Sequence, residues 1–347
     1  MKAIVIHQAK DLRVQEWPEE PLGPGEIRVR VAVGGVGGSD LHYYHNGGFG
    51  NVRVREPMVL GHEVSGFVLE CGAGVEGFDP GDLVASSPSR PCKACHYCLA
   101  GLPNHCENMR FYGSAMPFPH SQGAFREELI ASASQCVKAN GLTPGEAAMA
   151  EPLSVVLHAA RRAGELLGKR VLVTGSGPIG LLSVMAARRL GASEVVATDL
   201  SDFTLNMARR VGADVTVNMR DNPDGLASYA QGKGSFDVLF ECTGAATAFA
   251  SGVSAMRPRG IAVQLGLGGA ETAVPLNLIV AKEVDIRGSF RFHEEFPTAV
   301  ANMQSAQIDV KPLITHETSL EAAEEAFRFA SNRENAIKAH VVFAEGG

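Results

Sequence analysis

The chain has 347 residues, 45% of them hydrophobic and 20% charged, and a net charge of −7. That length suits about two domains with ample core, the acidic balance argues against a nucleic-acid partner, and no apolar run approaches the roughly 20 residues of a membrane span. Met1-Lys2-Ala3-Ile4-Val5-Ile6 enters a strand pattern directly, without the apolar core of a signal peptide, so a cytoplasmic location is expected.

In chain order the pattern changes twice. Residues 1–152 are rich in Val, Gly and Pro, and short alternating strands at Ile27–Val33, Glu63–Glu70 and Leu83–Ser86 predict an irregular β-rich domain. Residues 153–290 alternate strand and helix, with a strand at Arg170–Thr174, a helix at Ile179–Leu190 and a strand at Glu194–Thr198; that order predicts an α/β fold with a parallel sheet covered on both faces. Residues 291–347 supply a helix at Glu295–Gln307, an apolar run near Pro312–Thr315, a helix at Leu320–Ser331 and a last strand at Ala339–Phe343, read as the chain returning to complete the first domain.

Within the first stretch, Cys92, Cys95, Cys98 and Cys106 follow the spacing C-x2-C-x2-C-x7-C, in a lobe at about residues 90–110. Four thiolates so spaced can close around one tetrahedral zinc, leaving no open position for a substrate. Paired disulfides are the competing reading, but the cysteine count of seven is odd and a chain of this size needs no covalent staples. His96 and His105 are expected to be solvated, because four sulfurs already fill the shell.

The second signal is Gly175-Ser176-Gly177-Pro178-Ile179-Gly180, after the apolar strand Val171-Leu172-Val173 and opening a helix. There the glycines permit a tight turn and close backbone approach to a pyrophosphate at the helix N-terminus. Asp199 closes the following strand, where a carboxylate accepts hydrogen bonds from the adenosine ribose and repels a 2′-phosphate, so NAD is expected over NADP. Turns at Glu241-Cys242-Thr243-Gly244 and Gln264-Leu265-Gly266-Leu267-Gly268 also end apolar strands, which makes Thr243, Leu265 and Leu267 candidates to cover the nicotinamide half.

The third constellation is Gly61-His62-Glu63 with Gly66, Gly72 and Val75. With the cysteine lobe and the glycine turn in the same order, it resembles the zinc-containing medium-chain alcohol and polyol dehydrogenases over essentially the whole chain. The resemblance implies a GroES-like β-barrel catalytic domain into which a doubly wound Rossmann domain is inserted, with the active site between them. It is narrowed by Ser39-Asp40-Leu41-His42-Tyr43-Tyr44, by Met109-Arg110-Phe111-Tyr112-Gly113-Ser114-Ala115-Met116 with Phe118-Pro119-His120, by Glu151-Pro152-Leu153-Ser154, and by Gly288-Ser289-Phe290-Arg291-Phe292. These imply oxidation of the C5 hydroxyl of L-idonate to 5-keto-D-gluconate with NAD, with sorbitol or xylitol as the alternative substrate class.

Carried over residue by residue, the family pattern implies His62, Glu63 and Glu151 at a catalytic metal, Ser39 and His42 as a proton relay, and Phe290 and Arg291 beside nicotinamide or substrate. Arg110 and His120 are weaker candidates for the aldonate carboxylate. The chain departs from the family at one ligand: Gly35-Val36-Gly37-Gly38-Ser39-Asp40 has Gly37 where the family carries a cysteine. Losing a thiolate costs more than the 10- to 100-fold typical of outer-sphere losses. Three outcomes are open, zinc held with extra water, another divalent ion suited to oxygen ligands, or an empty site in an NAD-binding protein with impaired catalysis, and weak or partial occupancy of the catalytic site is expected. A metal-independent quinone-reductase type is disfavoured, since it would not retain Gly61-His62-Glu63.

The resemblance also implies a homodimer or homotetramer, with strand-like segments at Thr272–Leu276 and Glu283–Arg287 extending the Rossmann sheet across a two-fold axis.

Overall fold

The run Glu26–Gly35 alternates Ile and Val with Arg and forms a ten-residue strand that buries Ile27, Val29 and Val31 and leaves Arg28 and Arg30 half-buried. A one-residue slip would exchange the two sets. At about 1.5–3 kcal/mol for each buried aliphatic side chain, such a slip is strongly disfavoured. The register therefore holds, and it sets Gly35 opposite Glu63 on one side and His340 on the other.

The computed structural model describes residues 1–269 and 271–344. The chain forms two units, Met1–Glu151 with Phe296–Asn332 and Lys338–Gly347, and Pro152–Glu295 with Arg333–Ile337.

In the first unit a seven-stranded sheet runs Cys136–Lys138, Leu83–Ser86, Glu63–Cys71, Glu26–Gly35, Lys338–Val342 and Ile314–Ser319, with Glu128–Ser132 also pairing to Glu26–Gly35. Lys2–Gln8, Asp11–Glu16 and Met58–Val59 make a smaller sheet. One core joins Ile4, Ile6, Tyr43, Leu60 and Phe125 to Phe327 and Val341 from the C-terminal return. A second is built on Ile27, Val29, Val31, Val64, Val68 and Leu129.

The second unit is a parallel sheet in the order Val215–Asn218, Glu194–Asp199, Arg170–Thr174, Phe236–Glu241, Met256–Gln264, Asp285–Gly288. Its central strand, Arg-Val-Leu-Val-Thr, is apolar without alternation because both faces are covered. The fold is α/β, a GroES-like domain with a doubly wound parallel sheet. The segment at Thr272–Leu276 is a correction: residues 272–275 have no regular structure, and Leu276 opens a helix running to Lys282. Pro275 explains it, since it offers no N–H to a sheet and suits the edge of a helix. The neighbouring strand spans Asp285–Gly288 and is the edge of the sheet.

Candidate active site

Helix Gly38–Asn46 begins immediately after Gly37, and its third residue caps it: Asp40 Oδ2 accepts the Gly37 N–H at 3.0 Å. Asp40 Oδ1 accepts the Gly61 N–H at 3.1 Å. Gly61 adopts φ +93° with its Cα face against the Phe125 ring, where a side chain would collide. The fully buried Asp40 thus ties the Gly37 turn to the Gly-His-Glu turn and lies 3.3 Å from His62 Nδ1.

His62, Glu63 and Glu151 are buried together, with one ligand atom from each lying within 4.8 Å of the others. Glu151 comes from the first turn of helix Ala150–Ala163, and Glu63 opens strand Glu63–Cys71. Burial disfavours a charged imidazole at His62, but the carboxylates of Asp40, Glu151 and Glu63 outweigh it and raise its pKa to about 9. Burial and the Glu63 carboxylate push Glu151 up to about 7, against the pull of His62 and Lys338. Two carboxylates and an imidazole converging without solvent form a donor set that fits a divalent cation. The set contains no thiolate. Gly37 faces the His62 ring, and a Cβ on it would lie 2.7 Å from both Cε1 and Nε2.

Lys338, unmarked as a site residue by the sequence reading, completes this cluster. Its Nζ contacts Glu63 Oε1 at 2.8 Å and Oε2 at 2.6 Å, and donates to the Val36 carbonyl at 3.2 Å. A lysine in the strand Lys-Ala-His-Val-Val was the available signal, because a buried lysine requires a partner. Asp40 was a second omission, signalled by an acid three residues after a helix cap.

Ser39 and His42 stand three residues apart on helix Gly38–Asn46 and so share a face. Burial, then His45, holds His42 below its ordinary value. His120 is engaged in the loop: Nε2 accepts the Arg55 N–H at 2.9 Å and Nδ1 meets the Pro117 carbonyl at 2.9 Å, so neither nitrogen remains for a substrate carboxylate. Arg110 is exposed and its Nη1 lies 3.4 Å from the Pro119 carbonyl.

The four sulfurs of Cys92, Cys95, Cys98 and Cys106 also converge within 4.8 Å, and all are free of disulfides. Cys106 Sγ accepts the Cys92 N–H at 3.2 Å and Cys92 Sγ the Cys95 N–H at 3.3 Å. N–H groups of Ala94 and Cys95 draw Cys92 down to about 6, while burial and the neighbouring thiols push Cys98 up to about 12. His96 and His105 are exposed. A closed four-sulfur cage fits zinc.

In the second unit Gly175 has φ +84°, Pro178 opens the helix Pro178–Arg189, and the Cα of Gly180 lies against the Gly175 carbonyl with no room for a Cβ. Ile179 follows in the helix's first turn. Asp199 accepts N–H groups of Ser176 at 2.6 Å, Leu200 at 2.7 Å and Ser201 at 3.0 Å, which fixes it beside the glycine turn. Buried Glu241, also missed from sequence, organises the neighbouring turns. It accepts N–H groups of Thr243 and Gly244 and the Gln264 amide, while its carbonyl accepts the N–H groups of Leu265 and Gly266. Leu267 and Phe290 are exposed, and the Arg291 guanidinium lies 4.8 Å from the Phe290 ring centre.

Residues 23–141 match the alcohol dehydrogenase GroES-like domain and residues 178–305 the zinc-binding dehydrogenase domain. The chain is 43% identical over 343 residues to L-idonate 5-dehydrogenase (NAD(P)(+)) of Escherichia coli K12, covering 99% of this chain and 98% of the relative. Sorbitol dehydrogenase of Gallus gallus is 40% identical over 329 residues, 94% of this chain and 92% of the relative. The crystal structure of the E. coli L-idonate 5-dehydrogenase superposes with a TM-score of 0.94 at 41% identity, over 99% of this chain and 98% of that one. Identity of this order over nearly the full length, with both domains in family order, establishes that the chain belongs to the zinc-binding alcohol and polyol dehydrogenases.

Proposed function

We propose that the protein reversibly oxidises the C5 hydroxyl of L-idonate to 5-keto-D-gluconate with NAD, at a divalent metal held by His62, Glu63 and Glu151. The observation that carries the reading is the buried convergence of these three donors in a chain so similar to an L-idonate 5-dehydrogenase. A secondary alcohol is too weak an acid to lose its proton at neutral pH. A Lewis-acidic ion supplies the missing acidity, as zinc does in lowering bound water from a pKa of 15.7 to about 7, while the hydride acceptor is the nicotinamide ring.

The chain's own groups have separable tasks. Asp40 orients the His62 imidazole and Glu151 holds a carboxylate beside it. Ser39 passes the carbinol proton outward and His42, held below its ordinary pKa, is neutral and able to take it. The glycine turn at Gly175, Gly177 and Gly180 seats the pyrophosphate. Asp199 excludes a 2′-phosphate, and Thr243, Leu265, Leu267, Phe290 and Arg291 enclose the nicotinamide end. Zinc in the cysteine lobe is structural.

The chain is a homodimer through the edge strand Asp285–Gly288 and the exposed side chains of Val274, Leu276, Val280 and Ile286 beside it. An apolar edge left to solvent invites pairing with a second copy. Among the described residues no helix is long and apolar enough to cross a membrane.

The test is NADH formation with L-idonate, sorbitol and xylitol, with and without added zinc. Turnover highest on L-idonate and dependent on metal supports the reading; NADH binding without turnover on any of them overturns it.

A further inference from the structure

Glu63 is asked to do two things at once. As a metal ligand it must offer an oxygen to the cation shared with His62 and Glu151, yet both of its oxygens are already held by Lys338 Nζ, at 2.8 and 2.6 Å. Lys338 is itself buried, and its Nζ also donates to the carbonyl of Val36, the residue before Gly37. One lysine therefore holds the Glu63 carboxylate and the turn that leads into Gly37.

A buried carboxylate without a partner is strongly unfavourable, so a site of this kind folds without metal only if something else balances it. At Glu63 Lys338 is that balance. A dication arriving beside Glu63 meets a positive group at close range and has to share or displace it, and Gly37 contributes no third anion in return. We propose that Lys338 is a built-in competitor of the metal for Glu63, which makes the second centre a reversible site filled according to metal supply, in contrast to the cysteine cage. The inference rests on the reading of His62, Glu63 and Glu151 as metal ligands and names the residue that regulates their occupancy.

The experiment measures zinc affinity of the second site by competition with a chromophoric chelator, on the full-length chain with its cysteine lobe loaded. Lys338→Met is expected to tighten zinc at least tenfold and to enlarge the zinc-induced rise in Tm, while Lys338→Arg, which keeps the charge, stays within threefold of the native chain. Were Lys338 only a structural anchor, its loss would loosen Glu63 and the Val36 turn and weaken zinc binding; equal or weaker affinity in a folded Lys338→Met overturns the proposal. Lys338→Gln, which retains one donor to Glu63 without charge, is expected to shift in the same direction and carries the comparison if the Met variant does not fold. His62→Ala separates the two levels: a second zinc that survives it is bound elsewhere and overturns the metal assignment itself. Loss of that zinc with no effect at Lys338 overturns only the competition.

Discussion

Gly37 lies directly against the His62 imidazole, so near that a single added carbon would sit 2.7 Å from Cε1 and Nε2 and 3.0 Å from Glu63 Oε1. Any side chain at position 37 would have to displace that ring or the Glu63 carboxylate.

Introducing a thiolate by Gly37→Cys requires the imidazole to shift, since the added Cβ would lie 2.7 Å from it. The purified native chain is expected to carry nearer one zinc than two, and the variant nearer two. The gain in metal affinity should exceed the roughly 10- to 100-fold that outer-sphere contacts contribute, with a large rise in L-idonate turnover. Metal analysis of both proteins decides it; two tightly bound zincs in the native chain would contradict the expectation.

At the cofactor turn, Asp199→Ser is expected to shift the ratio of kcat/KM for NADP against NAD toward NADP by about 10- to 100-fold, since a like-charge repulsion of about 1.4 kcal/mol or more is removed. Because Asp199 accepts three backbone N–H groups, the variant should also lose about 1–3 kcal/mol of stability. An unchanged ratio would show that Asp199 serves the turn alone.

His340 is fully buried with neither ring nitrogen hydrogen-bonded among the described residues. Burial, then Lys338, lowers its pKa from 6.5 to about 3. The folded-state pKa is depressed below the unfolded one, so the unfolded chain binds the extra proton: this contribution to stability is complete above about pH 6.5 and is lost as pH falls toward 3, at about 1.4 kcal/mol per pH unit. His340→Leu is expected to flatten that limb of a denaturation series and to stabilise the protein near neutrality by about 1–3 kcal/mol, having removed two unpaired polar atoms. An acid limb of unchanged steepness would rule this out.

On the second unit, Val280→Glu places a charge on the exposed apolar surface next to strand Asp285–Gly288. Light scattering at micromolar concentration is expected to report a dimer for the native chain and a monomer for the variant, because burying an unpaired carboxylate at an interface costs several kcal/mol. A native monomer would refute the proposed assembly.

Sequence alone determined what local spacing can encode. Cys92 to Cys106 is a short loop whose four thiols can converge on one ion, and Gly175 and Gly180 need to be glycines because one adopts a positive φ and the other packs against the Gly175 carbonyl. The run Arg170–Thr174 was readable as a strand for a similar reason: its apolar continuity reports two covered faces. The segment Thr272–Leu276 departs from the strand that the resemblance implied, because Pro275 offers no N–H to a sheet and leads into the helix that begins at Leu276. Tertiary structure decided the rest. Lys338 and Glu63 are separated by 275 positions, and Glu241 reaches Gln264 across two adjacent strands. Asp40 joins two turns 21 residues or more apart from end to end. Such partners leave no periodic trace in a chain, because sheet register and the return of the C-terminal strand bring them together, and the desolvation of a buried charge is felt only once they have met.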